Sequence, residues 1–258
     1  MTRLSLSKAL LAAAFACALL PAQTANPKPP QPKGPKEAEA IQAIFTAQDP
    51  DGRIAAANNL VTKFSDTEFK ATALYIAAFS YQQKGDLENV IVYSEKCLEA
   101  DPKFYAAQLM IANALAMRTK EFDLDREEKL GRSEKMAAAA LAQIESAPKP
   151  RPDITDEQWA AAKKDFAAQA YEAQAFGALV RKKYDVCAEK FALAAANASQ
   201  TDPALMVRLA SCQMNIKKYD EAIASLDKAL TDPNAAPQVK QAATQLKMDA
   251  NKAKAAAK

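Results

Sequence analysis

Histidine is absent from the 258 residues. With it go the commonest general base, the usual activator of a serine or cysteine nucleophile and the most frequent metal ligand. Ser-His-Asp and Cys-His sites are therefore excluded. Glycine is scarce, at 5 residues, and no Gly-rich phosphate loop, Cys-x-x-Cys pair or metal-spaced cluster occurs. No cofactor or metal site is expected. Sustained alternation of Val, Ile and Thr, the mark of a half-buried strand, is also missing. Paired carboxylates are the chemistry that remains, and the acidic residues stand at helix starts or on faces expected to be solvated. The chain reads as a non-enzyme, with a carboxylate-based envelope enzyme as the remote alternative.

What is abundant is Ala, Lys, Glu, Gln and Leu, the residues that lose least entropy in a helix, so the chain is expected to be nearly all α. The first residues stand apart. Arg3 and Lys8 precede an apolar run over residues 9–20, and Pro21-Ala22 supplies a small residue for a signal peptidase. That run is 12 residues long, against the roughly 20 that a bilayer crossing needs. Residues 1–22 read as a cleaved signal peptide, with Ala25 as a second cleavage position and an uncleaved inner-membrane anchor as the alternative. Cys17 follows Ala14-Phe15-Ala16, which lacks the pattern of a lipidation box. The mature protein is expected in the periplasm or outside the cell.

Loss of Arg3 and Lys8 takes the formal charge from +3 to +1. Nucleic-acid binding needs a concentrated basic stripe, whereas the lysines here are interspersed with Asp and Glu, so it is not expected. Three cysteines remain after cleavage: Cys97, Cys187 and Cys212. An odd number argues against a complete disulfide framework. Either all three are small buried helix residues, or Cys187 pairs with Cys212 on the neighbouring predicted helix.

Residues 23–36 are rich in Pro and Lys and read as an extended tether. Beyond them, helical segments alternate with brief turns. Residues 71–104 form the clearest unit. One helix runs through Tyr75, Ala78 and Tyr81, turns at Lys84-Gly85-Asp86, and is followed by a second through Val90, Cys97 and Leu98. Gly85 is placed to end the first helix with positive φ, and Asp101-Pro102 to open the next one. The layout returns at Lys182-Lys183-Tyr184-Asp185 and Lys217-Lys218-Tyr219-Asp220, which are 35 residues apart. Pro148-Lys149-Pro150-Arg151-Pro152 breaks the run, and Thr155 with Gln158 restarts it as a capping box. Trp159, in the restarted helix, reads as a packing residue.

This arrangement resembles the tetratricopeptide repeat, whose unit is about 34 residues. The resemblance is strongest over residues 71–104 and 203–233. It implies an all-α, right-handed superhelical solenoid of antiparallel helix hairpins: three units over 37–147, a Pro-rich linker at 148–154 that allows two subdomains to hinge, two more units with a preceding helix over 155–236, and a capping helix with a frayed tail over 237–258. The third unit carries about nine extra residues around 121–130. The family's early aromatic appears here as Leu74 and Met206, and its Leu-Gly pair as Ala77-Ala78 and Leu209-Ala210. The extra acidic residues lack the Gly and the terminal Glu of a calcium loop, and read as a solvated helix extension.

The resemblance further implies that the first helix of each unit lines an inner groove that takes a protein or peptide. Carried over by alignment, the inward residues are Ile41, Phe45, Tyr75, Phe79, Leu109, Asn113, Met117, Glu172, Phe176, Val207, Ser211 and Met214. Where relatives clamp a carboxylate with Lys or Arg, this chain has Ile41, Tyr75 and Leu109, so an apolar groove is expected. The same spacing also fits core packing against the next hairpin. The expected function is an exported scaffold or adaptor, with a structural subunit of an envelope or secretion assembly as the alternative.

Overall fold

The computed structural model describes residues 30–151 and 153–257. Residues 1–29, which contain the expected signal peptide, Cys17 and the first half of the tether, lie outside the described residues. The described residues form eleven helices and no strand: α1 (Pro35–Thr46), α2 (Pro50–Lys63), α3 (Lys70–Gln83), α4 (Leu87–Ala100), α5 (Tyr105–Arg118), α6 (Arg126–Ser146), α7 (Asp156–Val180), α8 (Tyr184–Asn197), α9 (Pro203–Asn215), α10 (Tyr219–Thr231) and α11 (Pro237–Ala256). None of them is long and apolar enough to cross a membrane.

Each helix packs on the next in chain order, which makes a helical solenoid of five hairpins with α11 against the last. Local chemistry sets the boundaries. Asp49, Asp86 and Asp202 each accept from a first-turn N–H, at 2.8, 3.0 and 2.9 Å. At α7, Thr155 Oγ1 accepts from Gln158 N while Gln158 Oε1 accepts from Thr155 N, the capping box expected there. Three hairpin turns close identically. Asp86 N donates to Tyr81 O, Lys183 N to Ala178 O and Lys218 N to Gln213 O, each with a second bond from the preceding residue. The residue in the left-handed region is Gly85 in the first of these turns, at φ 74, and Lys182 and Lys217 in the others, at φ 57 and 61. The repeated turn thus imposes a conformation that only the first copy meets with glycine.

Asp101 and Pro102 do not open α5. Asp101 ends α4 and its carboxylate accepts from Lys103 N at 3.0 Å, so the Asp-Pro pair builds a turn and α5 starts at Tyr105. The end of the tether is also not free. Gln31 N donates to Glu68 at 3.0 Å, Lys33 Nζ donates to Asp66 at 2.6 Å, and α1 already begins at Pro35.

The Pro-rich segment does not separate two bodies. Ala147 and Ile154, on either side of it, are buried in one cluster with Leu109, Ile144, Trp159 and Phe166. Trp159 Nε1 donates to Ala147 O at 3.1 Å, which fastens the start of α7 across the break. The expected hinge is therefore covered by a shared core, because α7, at 25 residues, is long enough to lie along both α5 and α6. Phe104 and Phe191 anchor the clusters on either side, at 2% and 0% exposure. Burial of such a side chain contributes roughly 1.5–3 kcal/mol.

Cys187 and Cys212 form a disulfide, with Cα atoms 6.0 Å apart, between α8 and α9. Of the two sequence readings, pairing is the one realised. Cys97 is a buried free thiol whose pKa burial pushes far up, so it stays protonated and unreactive.

Candidate functional site

The first helices α1, α3, α5, α7 and α9 carry the residues that the repeat alignment points inward. Ile41, Tyr75, Leu109, Glu172 and Val207 form one row across them, and Phe45, Phe79, Asn113, Phe176 and Ser211 lie one helical turn on. The two rows have different environments. In the second row Phe45 is exposed and Phe79, Asn113, Phe176 and Ser211 are half-buried; Met117 is exposed and Met214 half-buried at the helix ends. In the first row Ile41, Glu172 and Val207 are half-buried, but Tyr75 and Leu109 are core residues, at 7% and 1% exposure.

These two positions are corrections, each with a packing cause. The Tyr75 ring lies 5.1 Å from Phe104 in the cluster shared by α3, α4 and α5. Leu109 is enclosed by Phe166, Ala170 and Ala173 of α7. The same approach of α7 to α5 brings the Tyr105 and Phe166 rings to 5.1 Å. It also lets Asn113 Nδ2 donate to Gln169 O at 3.2 Å, besides Leu109 O at 3.0 Å. The apolar surface is therefore interrupted by a polar bridge. One stretch, with Ile41, Phe45 and Phe79, lies on α1 and α3; the other, with Glu172, Phe176, Val207, Ser211 and Met214, lies on α7 and α9.

The second stretch contains a residue that the alignment passed over. The Arg208 guanidinium lies 5.1 Å over the Phe176 ring, which in turn meets Phe191 edge-on at 5.5 Å. Arg208 stands 4.0 Å from Glu172 and 3.9 Å from Asp202, both beyond hydrogen-bond reach. The available signal was its spacing of three from Ser211, which puts both on one helical face. Burial raises the Glu172 pKa, an effect that Arg208 opposes and Asp202 reinforces.

A carboxyl whose folded pKa is raised binds protons more tightly in the folded state. Its effect is to make stability fall as pH rises above the unfolded value. Glu172→Gln is accordingly expected to leave stability at pH 7 unchanged or slightly higher. It should also flatten the decline in denaturation midpoint above about pH 4.5, read from urea midpoints at several pH values.

Among the described residues, no group of three or more His, Cys, Asp or Glu is placed to hold a metal ion. The acidic insertion is not a helix extension. Residues 119–125 form a loop with two turns, and α6 begins only at Arg126. Asp123 and Asp125 face Lys129, at 3.6 and 2.8 Å.

The tetratricopeptide repeat model matches residues 71–104 and 203–231, the two stretches where the sequence resemblance is strongest. No curated protein matches the chain. Among solved structures, a thermophilic tetratricopeptide repeat protein of Thermus thermophilus, TTC0263, aligns over 81% of this chain and 95% of its own, at 13% identity and a TM-score of 0.52. At that identity the likeness establishes a common fold. The assembly chaperone of RpL4, Acl4, covers 86% of this chain and 99% of its own at 12% identity, with a TM-score of 0.46. The TPR2AB domain of yeast Sti1, solved in a pHSP90 complex, covers 83% and 90% at 18% identity, with a TM-score of 0.29.

Proposed function

We propose that this chain is an exported, non-enzymatic scaffold that binds a protein or peptide on the surface of its first helices. The observation that carries the reading is the apolar stretch of Ile41, Phe45 and Phe79, displayed on contacting helices α1 and α3 with Phe45 46% exposed. Tetratricopeptide repeats at 71–104 and 203–231 support it, as does the absence of histidine. Phe45, exposed, beside the half-buried Phe79 gives the stretch the aromatic enrichment of interface surfaces. The surface suits an amphipathic helix or an extended apolar segment. Export rests on the charged start and apolar run of residues 1–22. N-terminal sequencing of the mature protein, beginning at residue 23 or 26, checks it.

The binding test places a photo-crosslinking residue at position 45 in the producing cell and identifies the adduct. The purified adduct partner is expected to bind Phe45→Ser/Phe79→Ser at least tenfold more weakly than the wild type. Phe45→Ser alone, at a side chain 46% exposed, should weaken binding in the same direction with helicity and melting unchanged, which separates lost binding from the core packing that Phe79 also provides. Undiminished affinity would overturn the proposed surface.

A further inference from the structure

On α7 and α9 two oppositely charged side chains face each other without a hydrogen bond. Glu172 and Arg208 approach to 4.0 Å, and Arg208 stands 3.9 Å from Asp202, distances at which ions attract but no hydrogen bond closes. Among the described residues no N–H or O–H donates to the Glu172 carboxyl, and no acceptor meets the Arg208 guanidinium. Neither group is a freely solvated surface charge. The two side chains are 29% and 36% exposed, and burial is the largest influence on the Glu172 carboxyl.

The pair is also held in place. The guanidinium lies over the Phe176 ring, which is backed edge-on by the wholly buried Phe191. The Cys187–Cys212 bond fastens α9 to α8, against which α7 packs. Phe176 and Val207 are half-buried, so the two polar groups look out from between apolar surfaces. A donor and an acceptor already fixed on a rigid floor lose little conformational entropy when a ligand bridges them.

The charges restrict what can bridge them. An acidic side chain that reached Arg208 would lie against Glu172 and Asp202. A basic one that reached Glu172 would lie against Arg208. An apolar one would strip water from both groups and leave them unpaired. A carboxamide is neutral and planar, and carries an acceptor oxygen and a donor NH2 side by side. Its oxygen can accept from Arg208 while its nitrogen donates to Glu172. We propose that Glu172 and Arg208 form a subsite for an Asn or Gln side chain of the bound protein, flanked in that partner by apolar residues that meet Phe176 and Val207. The subsite rests on the reading that the first helices bind a protein or peptide. It gives the α7 and α9 stretch a polar specificity that Ile41, Phe45 and Phe79 do not supply.

The test places a photo-crosslinking residue at position 214 of α9, in the full chain in the producing cell. The crosslinked partner peptide is sequenced, synthesised and titrated against the purified protein by fluorescence anisotropy. It is expected to contain Asn or Gln beside apolar residues. Changing that residue to Ala should weaken binding by about tenfold or more, and changing it to the matching acid at least as much. Arg208→Met should weaken the unaltered peptide, and on that variant the change to Ala should cost little more, since the two groups act as one contact. Glu172→Gln should narrow the discrimination between the carboxamide peptide and its acidic counterpart, which a purely structural role would not do. Both variants should keep wild-type helicity. No protein adduct at position 214, a peptide without Asn or Gln, undiminished binding of the Ala peptide, or additive losses from Arg208→Met and the change to Ala would each overturn the subsite. An adduct still formed at position 45 in those cases leaves the first-helix reading standing, whereas absence of a protein adduct at both positions overturns that reading too.

Discussion

Leu109→Lys is expected to destabilise the chain by at least about 4 kcal/mol, since a buried, unpaired charge belongs to the small set of changes with effects of that size. At this chain length the loss corresponds to a fall in melting temperature on the order of 10 °C. Leu109 is 1% exposed, and its cluster, which includes Ala112, Ile144, Trp159, Phe166 and Ala170, contains no carboxylate. The repeat alignment would have placed Leu109 in the groove, at a position where relatives carry a cation. A lysine tolerated there, with a near wild-type thermal or urea transition, would show that α7 does not cover α5. The conservative companion Leu109→Ala removes volume without adding charge and should cost about 2–5 kcal/mol.

The second large effect is expected from the Cys187–Cys212 bond. It closes a loop spanning 25 positions, for which the chain-entropy relation gives about 3.5 kcal/mol. Cys187→Ala/Cys212→Ala should therefore melt roughly 7–14 °C below the wild type under non-reducing conditions, and the difference should vanish when both are fully reduced. Both cysteines are wholly buried, so reductant acts only on the opened chain. Thiol titration gives an independent reading on a chain beginning at residue 23. Native protein should react at no cysteine, denatured protein at Cys97 alone, and denatured, reduced protein at Cys97, Cys187 and Cys212. Two or more reactive thiols in denatured, unreduced protein would rule the bond out. The bond joins the second helix of the fourth hairpin to the first helix of the fifth, so its loss should be felt first around α8–α11.

Much of this architecture was legible in the residues. Gly85 has the positive φ expected of it, Thr155 and Gln158 form their capping box, and Trp159 is a packing residue. These features depend on a few neighbours along the chain, so spacing and residue type are sufficient to read them. The boundaries that went astray involve competition between two local solutions. Asp101 had the composition of a helix cap, but the turn at 101–104 used its carboxylate for Lys103. Lys182 and Lys217 gave no glycine signal for a left-handed turn, because the packed hairpin imposes that conformation on them.

The candidate site was less legible, for a different reason. Ile41, Tyr75 and Leu109 occupy equivalent positions and are all apolar, so periodicity gives one answer for the three. Their exposure differs because Tyr75 meets Phe104 and Leu109 lies under α7, contacts with residues 29 or more positions away. Arg208 was overlooked because its role comes from Phe176 and Glu172 on another helix. Phe122 and Leu124 stood inside what read as a solvated helix, and their full exposure is decided by the loop that Lys182 and Arg126 brace.

The sequence by itself determined the helical class, the hairpin repeat, the exclusion of histidine-based chemistry and most of the places where the chain turns, the loop at 119–125 excepted. Helix formation, capping and turn closure act within a few residues, and their free energies are written locally. Only the tertiary structure decided that the Pro-rich break is bridged, that Cys187 meets Cys212, and which apolar residues of a periodic stripe are core and which are surface. Those outcomes depend on how far α7 reaches across α5 and α6, and burial is a property of the neighbours a side chain acquires.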